Sequence, residues 1–228
     1  METTDRPVAV FFTIDDAYAP FLAVAITSLI EHASPQRSYH LVVLHEGLSA
    51  ANQERLAAMA KDNVSIGFVP MEGQIKGILD RKGNRLRADY FTLTIFFRLF
   101  IPALFPQYDK GVYVDSDVVF EADVAELFET ELDGNLIGAC RDLSIVDIPP
   151  FVEYVDKAVG VSVERYFNSG VLLMDMAGLR SAGLESRFNR YLHFDDYTLD
   201  EMIGIFKLQC VLICIISQIC NLINVHFL

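Results

Sequence analysis

Short apolar runs alternate with helix-type segments along the N-terminal part of the chain. Residues 8–14 are continuously apolar, as expected for a strand covered on both faces. In residues 20–32 apolar positions recur every three or four residues after an initial proline, which predicts a helix. Residues 39–44 and 64–69 predict two further strands, separated by a helix that opens at Ser49. This alternation predicts an α/β fold with a mainly parallel sheet and crossover helices.

The rest of the chain continues the pattern after an interruption. Residues 71–89 combine three glycines with five basic residues, typical of a loop that either closes over an anionic ligand or is simply solvated. Residues 91–104 predict a buried helix ended by Pro102 and Pro106. Further strands are predicted at residues 111–114, 136–141 and 167–176, the last with a polar entry.

Acidic side chains follow three of these predicted strands. They are Asp15–Asp16, Asp115–Asp117 and Asp142. Acids at strand ends can be ordinary turn residues. Ligands in open α/β sheets, however, collect beyond the carboxyl ends of the strands, so three such ends in one sheet favour a shared binding site.

The segment Asp115-Ser116-Asp117 is the sharpest of these signals because it directly follows a buried strand. In a continuing strand the two carboxylates would point to the same face, whereas a turn at the strand end would spread them around one cation. Hard oxygen ligands suit Mn²⁺ or Mg²⁺. The same letters also fit the nucleophile motif of haloacid dehalogenase phosphatases. That fold places its motif on the first strand, and here four predicted strands precede it.

The charge balance limits the partners. The chain of 228 residues carries 31 Asp and Glu against 18 Lys and Arg, a formal net charge of −13. Nucleic acid is therefore disfavoured as a partner, and a bound phosphate would need a metal ion as intermediary. Four cysteines without zinc-ligand spacing, and a polar N-terminus without an apolar leader, predict a cytoplasmic protein in a reducing compartment.

Four segments, in order, carry a family resemblance: FFTIDDAYAPFLAVAITSLIEH, FRLFIPALFPQYDKGVYVDSDVVF, IGACRD and YFNSGVLLMDM. Together they resemble glycosyltransferase family 8, retaining sugar transferases that include glycogenin and bacterial lipopolysaccharide glucosyl- and galactosyltransferases. The likeness covers residues 8–179. It implies a GT-A fold with a Rossmann-like sheet, forming a single nucleotide-sugar-binding domain over residues 1–207. It also implies transfer of a hexose from a UDP-sugar, with Mn²⁺ or Mg²⁺, to a glycan, lipid-linked or protein acceptor.

The resemblance also implies residues for the donor nucleotide. Thr13, Asp15 and Tyr18 would hold the uridine, with the acid accepting from the uracil N–H and the ring stacking on the base. Arg98 would reach the donor. Family members often have Asn where this chain has Ala17, which puts one base or ribose contact in doubt. Thr13 and Tyr18 can equally be structural, and a buried Arg98 needs an anionic partner of which a phosphate is only one candidate.

The remaining implied residues surround the diphosphate and the sugar. Asp115 and Asp117 would bind the metal and, with Ser116 between them, the ribose or diphosphate. Asp142 and Asn168 would face the sugar hydroxyls as catalytic residues, although Asn168 can instead simply cap the strand entry.

The resemblance weakens after residue 179. Family members have a D-Q-D segment, where this chain has LHFDDYTLDEMIGIF, and Asp200 is the nearest candidate for a catalytic acid, with Asp196 behind it. The final His-x-x-Gly-x-x-Lys motif, which supplies a third metal ligand and a lysine for the diphosphate, is missing. This departure motivates an alternative function, a catalytically impaired nucleotide-sugar-binding protein.

The C-terminal segment, residues 208–228, is an atypical uncharged tail. It contains no Asp, Glu, Lys or Arg, and 15 of its 21 residues are apolar. Three interpretations stay open: an altered chain end that packs on the domain, a membrane anchor, or a buried helix–strand pair. As an anchor, the tail would hold the protein at the inner face of the membrane.

Overall fold

Six strands are present in the computed structural model, which describes residues 6–71, 94–144, 146–159 and 162–184. The strands are β1 (Val8–Asp15), β2 (Tyr39–Glu46), β3 (Val64–Pro70), β4 (Lys110–Val114), β5 (Ile137–Arg141) and β6 (Phe167–Asp175). The α-helices are α1 (Ala19–His32), α2 (Ala50–Ala57), α3 (Thr94–Phe97), α4 (Ile101–Leu104), α5 (Val124–Glu129), α6 (Pro149–Tyr154) and α7 (Met176–Ser181). Asp16–Tyr18 and Val163–Arg165 form 3₁₀ turns, and Val155–Val159 a π-helical turn.

The strands form one sheet in the order β3-β2-β1-β4-β6-β5. Neighbouring strands from β3 to β4 are parallel, whereas β6 is antiparallel to both β4 and β5. Five of these six strands therefore point the same way. The predicted mainly parallel sheet with crossover helices is confirmed.

Both faces of the sheet are buried, which explains why β1 is apolar from Val8 to Phe12 and again at Ile14. Val10 and Phe12 belong to a core layer that includes Leu22 of α1, and Phe11 belongs to a second layer with Phe97 of α3. Successive side chains of a strand point to opposite faces, so each layer takes alternate residues of β1. The nearly continuous apolar run thus follows from helices covering both sides.

The first two helices match their sequence signals. In α1, Pro20 lies in the first turn, and the buried side chains recur at helical spacing (Leu22, Ala25, Ile26 and Leu29). In α2, the Ser49 side chain accepts a hydrogen bond from the backbone N–H of Asn52, as an N-cap residue does. Both predicted helices are confirmed.

The helix predicted over residues 91–104 is wrong in its length. The described part of this segment contains two short helices, α3 and α4, joined by a turn at residues 98–100. Pro102 lies in the first turn of α4 instead of ending a helix, because an N-terminal turn does not need the missing N–H. The break places Arg98 in the turn, from which its side chain reaches the end of β4.

The strand order changes direction between β1 and β4. The chain leaves β1 towards β2 and β3 on one side, and β4 pairs with β1 on the other. Such a switch point opens a crevice beyond the carboxyl ends of the two strands. Since β6 runs the opposite way, it brings its first residues to the same edge, where the backbone N–H of Asp115 donates to the carbonyl of Gly170 at 2.7 Å.

Several sequence predictions lie outside the described residues. They concern the loop at residues 72–89, Asp196, Asp200 and the tail at 208–228. Within the described ranges, no helix has the length and apolar character needed to cross a bilayer.

Candidate active site

The strands β1 and β4 bring their polar ends together at the switch point. Phe11 pairs with Tyr113, so Thr13 stands level with Asp115, and Asp15 lies two residues further along β1. The Thr13 Oγ1 and the Tyr113 hydroxyl are 2.9 Å apart, in a hydrogen bond between the two strands. Thr13 is only 8% exposed, so its side chain serves mainly to make this hydrogen bond.

Asp15 and Tyr18 lie on the turn that follows β1. The Asp15 Oδ1 accepts a hydrogen bond from the backbone N–H of Tyr18 at 3.1 Å and so caps the 3₁₀ turn. Tyr18 remains 43% exposed, with its ring centroid 5.4 Å from that of Phe21. The turn therefore presents an aromatic ring next to a carboxylate at the edge of the crevice.

Asp16 ties this turn to the neighbouring helix. Its Oδ1 accepts from the backbone N–H of Ser49 at 2.8 Å and from the Asn52 Nδ2 at 2.9 Å. These hydrogen bonds, the one from Ser49 first, hold the pKa of the Asp16 carboxyl below its ordinary value. Asp16 thus attaches the turn that carries Asp15 and Tyr18 to the start of α2.

The Asp115 carboxylate is held through one of its oxygens. Its Oδ1 accepts the Tyr113 hydroxyl proton at 2.6 Å and lies 3.2 Å from the Arg98 Nη2. Arg98, 7% exposed, also donates from Nη1 to the Ser169 carbonyl at 2.5 Å, and its guanidinium lies 4.4 Å from the centroid of the Tyr113 ring. The anionic partner that a buried arginine requires is therefore present in the protein itself.

Burial dominates the chemistry of the Tyr113 phenol. The side chain is fully buried, which raises its pKa far above the usual range, and the adjacent Asp115 carboxylate acts in the same direction. The Arg98 guanidinium opposes this shift. The phenol is consequently a permanent proton donor to Asp115 at any physiological pH.

The second oxygen of Asp115 faces β6. A Cβ placed on Gly170 would lie 2.6 Å from the Asp115 Oδ2 and 2.9 Å from the Asn168 Oδ1. The Asn168 Oδ1 in turn accepts from the backbone N–H of Gly170 at 2.7 Å. The structure therefore brings Asn168 and Asp115 together over a glycine whose missing side chain leaves room for both.

The rest of the Asp-x-Asp segment lies on a bend. The strand ends at Val114, and the chain bends through Ser116 and Asp117. Ser116 is 5% exposed, whereas Asp117 is exposed. Of the two geometries open from the sequence, the structure has the turn at the strand end.

The donor set at this edge suits a divalent cation in its chemistry. Asp115 and Asp117 offer hard carboxylate oxygens, and Tyr113 and Arg98 contact the Oδ1 of Asp115, not its Oδ2. No cluster of three or more His, Cys, Asp or Glu side chains is assembled within the described residues. These two aspartates would therefore form part of a metal site, with other ligands from solvent or a bound phosphate.

Asp142 lies at the same edge, after β5. Its backbone N–H donates to the Tyr166 carbonyl at 3.1 Å, which places it beside the start of β6. Its Oδ1 accepts from the backbone N–H of Ser144 at 3.0 Å and from the Ser144 hydroxyl at 2.6 Å. The carboxylate is thus oriented by its own turn.

Tyr113 is the site residue that the sequence patterns missed, because it reads as one more apolar position of β4. The available signal was its hydroxyl, since a buried phenol usually has a hydrogen-bond partner.

Comparison with known proteins agrees with this architecture. The family model for glycosyl transferase family 8 matches residues 9–221. A putative glycosyltransferase of Haemophilus influenzae is 25% identical over 168 residues, covering 73% of this chain and 48% of that protein. Probable galacturonosyltransferase 12 of Arabidopsis thaliana is 25% identical over 142 residues, covering 58% of this chain and 26% of that protein. The chain spans about half, or less, of the length of these relatives.

Solved structures show the same fold. The galactosyltransferase LgtC, in complex with donor and acceptor sugar analogs, superposes with a TM-score of 0.63 at 26% identity, over 90% of this chain and 70% of that one. The bifunctional glycosyltransferase WbbM superposes with a TM-score of 0.74 at 24% identity, over 98% of this chain and 40% of that one. The predicted GT-A fold is confirmed. This chain belongs to glycosyl transferase family 8.

Proposed function

We propose that this chain transfers a hexose, glucose or galactose, from a UDP-sugar to a glycan, lipid-linked or protein acceptor with retention of configuration. One observation carries the proposal: the strand order reverses between β1 and β4, and both strands end in acids at that edge of the sheet, Asp115 level with Thr13 and Asp15 two residues further along β1. Sheets of this kind bind nucleotides at that point.

The nucleoside would bind on the turn after β1. The backbone cap uses the Asp15 Oδ1, which supports Oδ2 as the acceptor for the uracil N–H. The exposed Tyr18 ring supports stacking on the base. Thr13 would contribute indirectly, through its hydrogen bond to Tyr113 in the neighbouring strand.

The diphosphate would lie towards β4. A net charge of −13 disfavours a diphosphate without a counter-ion, and Asp115 and Asp117 would hold Mn²⁺ or Mg²⁺ for it here. When bound, such an ion offsets the negative charge that develops on the departing UDP. Arg98 adds positive charge behind the carboxylate of Asp115.

The transferred sugar would face the start of β6 and the end of β5. The Asn168 Oδ1 is engaged by the backbone N–H of Gly170, so its Nδ2 is the group that a sugar hydroxyl would meet. Asp142, oriented by Ser144, would accept from another hydroxyl. Fixing the hexose in this way places its anomeric carbon near an acceptor hydroxyl, which is how positioning lowers the barrier.

The proposal is tested by calorimetric titration of UDP in Mn²⁺ and in EDTA, followed by assays of UDP release from UDP-glucose and UDP-galactose. We expect binding that depends on Mn²⁺, and release from one of the two donors. Asp117→Asn should weaken UDP binding in Mn²⁺ at least tenfold, about 1.4 kcal/mol, because it removes a charged ligand.

Asp62→Asn is the matched control. Asp62 is exposed near the start of β3, at the opposite edge of the sheet, and its amide variant should bind UDP as the wild type does. Binding of UDP without release from either donor would instead identify a nucleotide-sugar-binding protein. Equal affinity in Mn²⁺ and EDTA would contradict the metal dependence.

A further inference from the structure

The Tyr113 hydroxyl links the two central strands in one direction. Its single proton goes to the Asp115 Oδ1 at 2.6 Å, because an ionised carboxylate can only accept. The hydroxyl of Thr13, 2.9 Å from that of Tyr113, must then be the donor to the phenol oxygen. A chain of two hydrogen bonds therefore runs from Thr13 in β1 through Tyr113 in β4 to Asp115.

The Tyr113 ring has a second role on the same carboxylate. It lies under the Arg98 guanidinium at 4.4 Å, while Arg98 reaches the Asp115 Oδ1 at 3.2 Å and the Ser169 carbonyl at 2.5 Å. Tyr113 thus makes two contributions: its ring packs against the Arg98 guanidinium, and its hydroxyl donates to the same Oδ1 that Arg98 contacts. Both contacts to the carboxylate are made with Oδ1, and they orient it so that the other oxygen, Oδ2, lies against Gly170, where a Cβ would be only 2.6 Å from it.

We propose that Tyr113 is a positioning residue that presents the Asp115 Oδ2 to the donor's divalent cation. This inference rests on the proposed function. A metal-ligating carboxylate that is free to rotate loses affinity for its ion, and removing the hydrogen bond that orients such a ligand typically costs 10–100-fold in metal affinity. Tyr113 itself is fully buried, so it would act on the cation only through Asp115.

The test is Tyr113→Phe, which keeps the ring under Arg98 and removes only the hydroxyl. We measure Mn²⁺ affinity at saturating UDP by the electron paramagnetic resonance signal of free Mn²⁺, UDP affinity in EDTA by calorimetry, and unfolding in urea. Mn²⁺ affinity should fall about tenfold, as expected when a ligand's orienting partner is removed. Any UDP affinity that remains in EDTA should not change.

The control is Tyr39→Phe. Tyr39 is also fully buried, and its hydroxyl donates to both oxygens of Asp123 at 2.8 Å, at the amino end of β2 far along the sheet from the crevice. This variant should lose stability and keep the Mn²⁺ affinity of the wild type. An equal loss of Mn²⁺ affinity in both variants would mean that Tyr113 is merely structural and would overturn the inference.

Further outcomes separate the inference from the proposed function. Wild-type Mn²⁺ affinity in folded Tyr113→Phe overturns the inference alone, whereas absence of Mn²⁺ binding by the wild type overturns both. If Tyr113→Phe does not fold, Gly170→Ala perturbs the same carboxylate from the other side, since its Cβ would lie 2.6 Å from the Asp115 Oδ2. Its control, Gly67→Ala in β3, meets open space. Only Gly170→Ala should weaken Mn²⁺ binding, and normal binding by it would overturn the inference.

Discussion

Arg98 shows how one side chain can serve several neighbours at once. Its planar guanidinium meets a carboxylate, a backbone carbonyl and an aromatic face together. A lysine ammonium has neither the fork nor the flat face for this set of contacts. The short turn between α3 and α4 brings Arg98 within reach of these three groups.

Replacement of Arg98 by lysine should therefore destabilise the fold. We expect Arg98→Lys to lower the free energy of unfolding by about 1–2 kcal/mol, because a charge-assisted hydrogen bond is lost at a buried position. Urea denaturation followed by circular dichroism measures it. Arg55→Lys, on the exposed side of α2, should stay within about 0.5 kcal/mol of wild type. Similar losses in the two variants would argue against a special environment for Arg98.

At the scale of elements, the 3₁₀ turn after β1 is attached to the start of α2 through Asp16. Both hydrogen bonds from α2, from Ser49 and Asn52, end on the same oxygen, Oδ1. An asparagine keeps an oxygen at that place, and an alanine does not. The pair of substitutions therefore separates the contact from the charge.

Asp16→Ala should weaken UDP binding in Mn²⁺ several-fold, because the turn that carries Asp15 and Tyr18 loses its anchor on α2. Asp16→Asn should retain most of the affinity. Calorimetric titration of UDP into the two variants gives the comparison. Equal weakening in both would show that the negative charge of Asp16, and not its hydrogen bonds, matters for the nucleotide.

For the same two substitutions of Asp16, we also expect a pH effect on stability. The pKa of Asp16 is lowered in the folded protein, so its stabilising contribution is present above the ordinary value of 3.8 and is lost as pH falls through the folded value. The difference in urea midpoint between wild type and Asp16→Ala should therefore shrink in acid. The difference between Asp16→Asn and Asp16→Ala should not, because the amide does not titrate. A wild-type difference that is constant down to pH 3 would contradict this assignment.

At the scale of the whole molecule, buried tyrosines make the fold sensitive to alkali. Burial and the hydrogen bond to Asp123 raise the pKa of Tyr39 from 10.0 to about 12. The folded state then holds this proton more tightly than the unfolded state does, so the stabilisation is complete below pH 10 and is lost as pH rises towards 12. Burial raises the pKa values of Tyr108 and Tyr113 as well.

We expect the free energy of unfolding to fall between pH 10 and 12, and to fall less in Tyr39→Phe than in wild type. Urea denaturation at pH 8, 10 and 11 measures this loss. The difference at pH 8 gives the pH-independent cost of removing the hydroxyl, and only the remainder reports its titration. Parallel losses in both proteins would assign the alkaline sensitivity to other groups.

The sequence predicts the sheet well because its strands are buried on both faces, and a continuous apolar run is a strong local signal. The placement of Asp15 and Asp115 at one edge of the sheet follows from strand direction alone. The break near Arg98 does not, because Pro102 can either end one helix or begin another. The hydrogen-bond chain through Tyr113 depends on the register of β1 against β4, and register is a long-range property that no local pattern records.

The placement of β6 between β4 and β5 has a consequence for synthesis on the ribosome. Asp115 and Arg98 are translated long before Ser169 and Gly170, which complete their surroundings. Until then the open side of β4 is an unpaired sheet edge that can bind other chains. A nascent polypeptide shorter than 167 residues therefore exposes an aggregation-prone edge of the sheet, and translation of one late strand both covers that edge and completes the surroundings of Asp115.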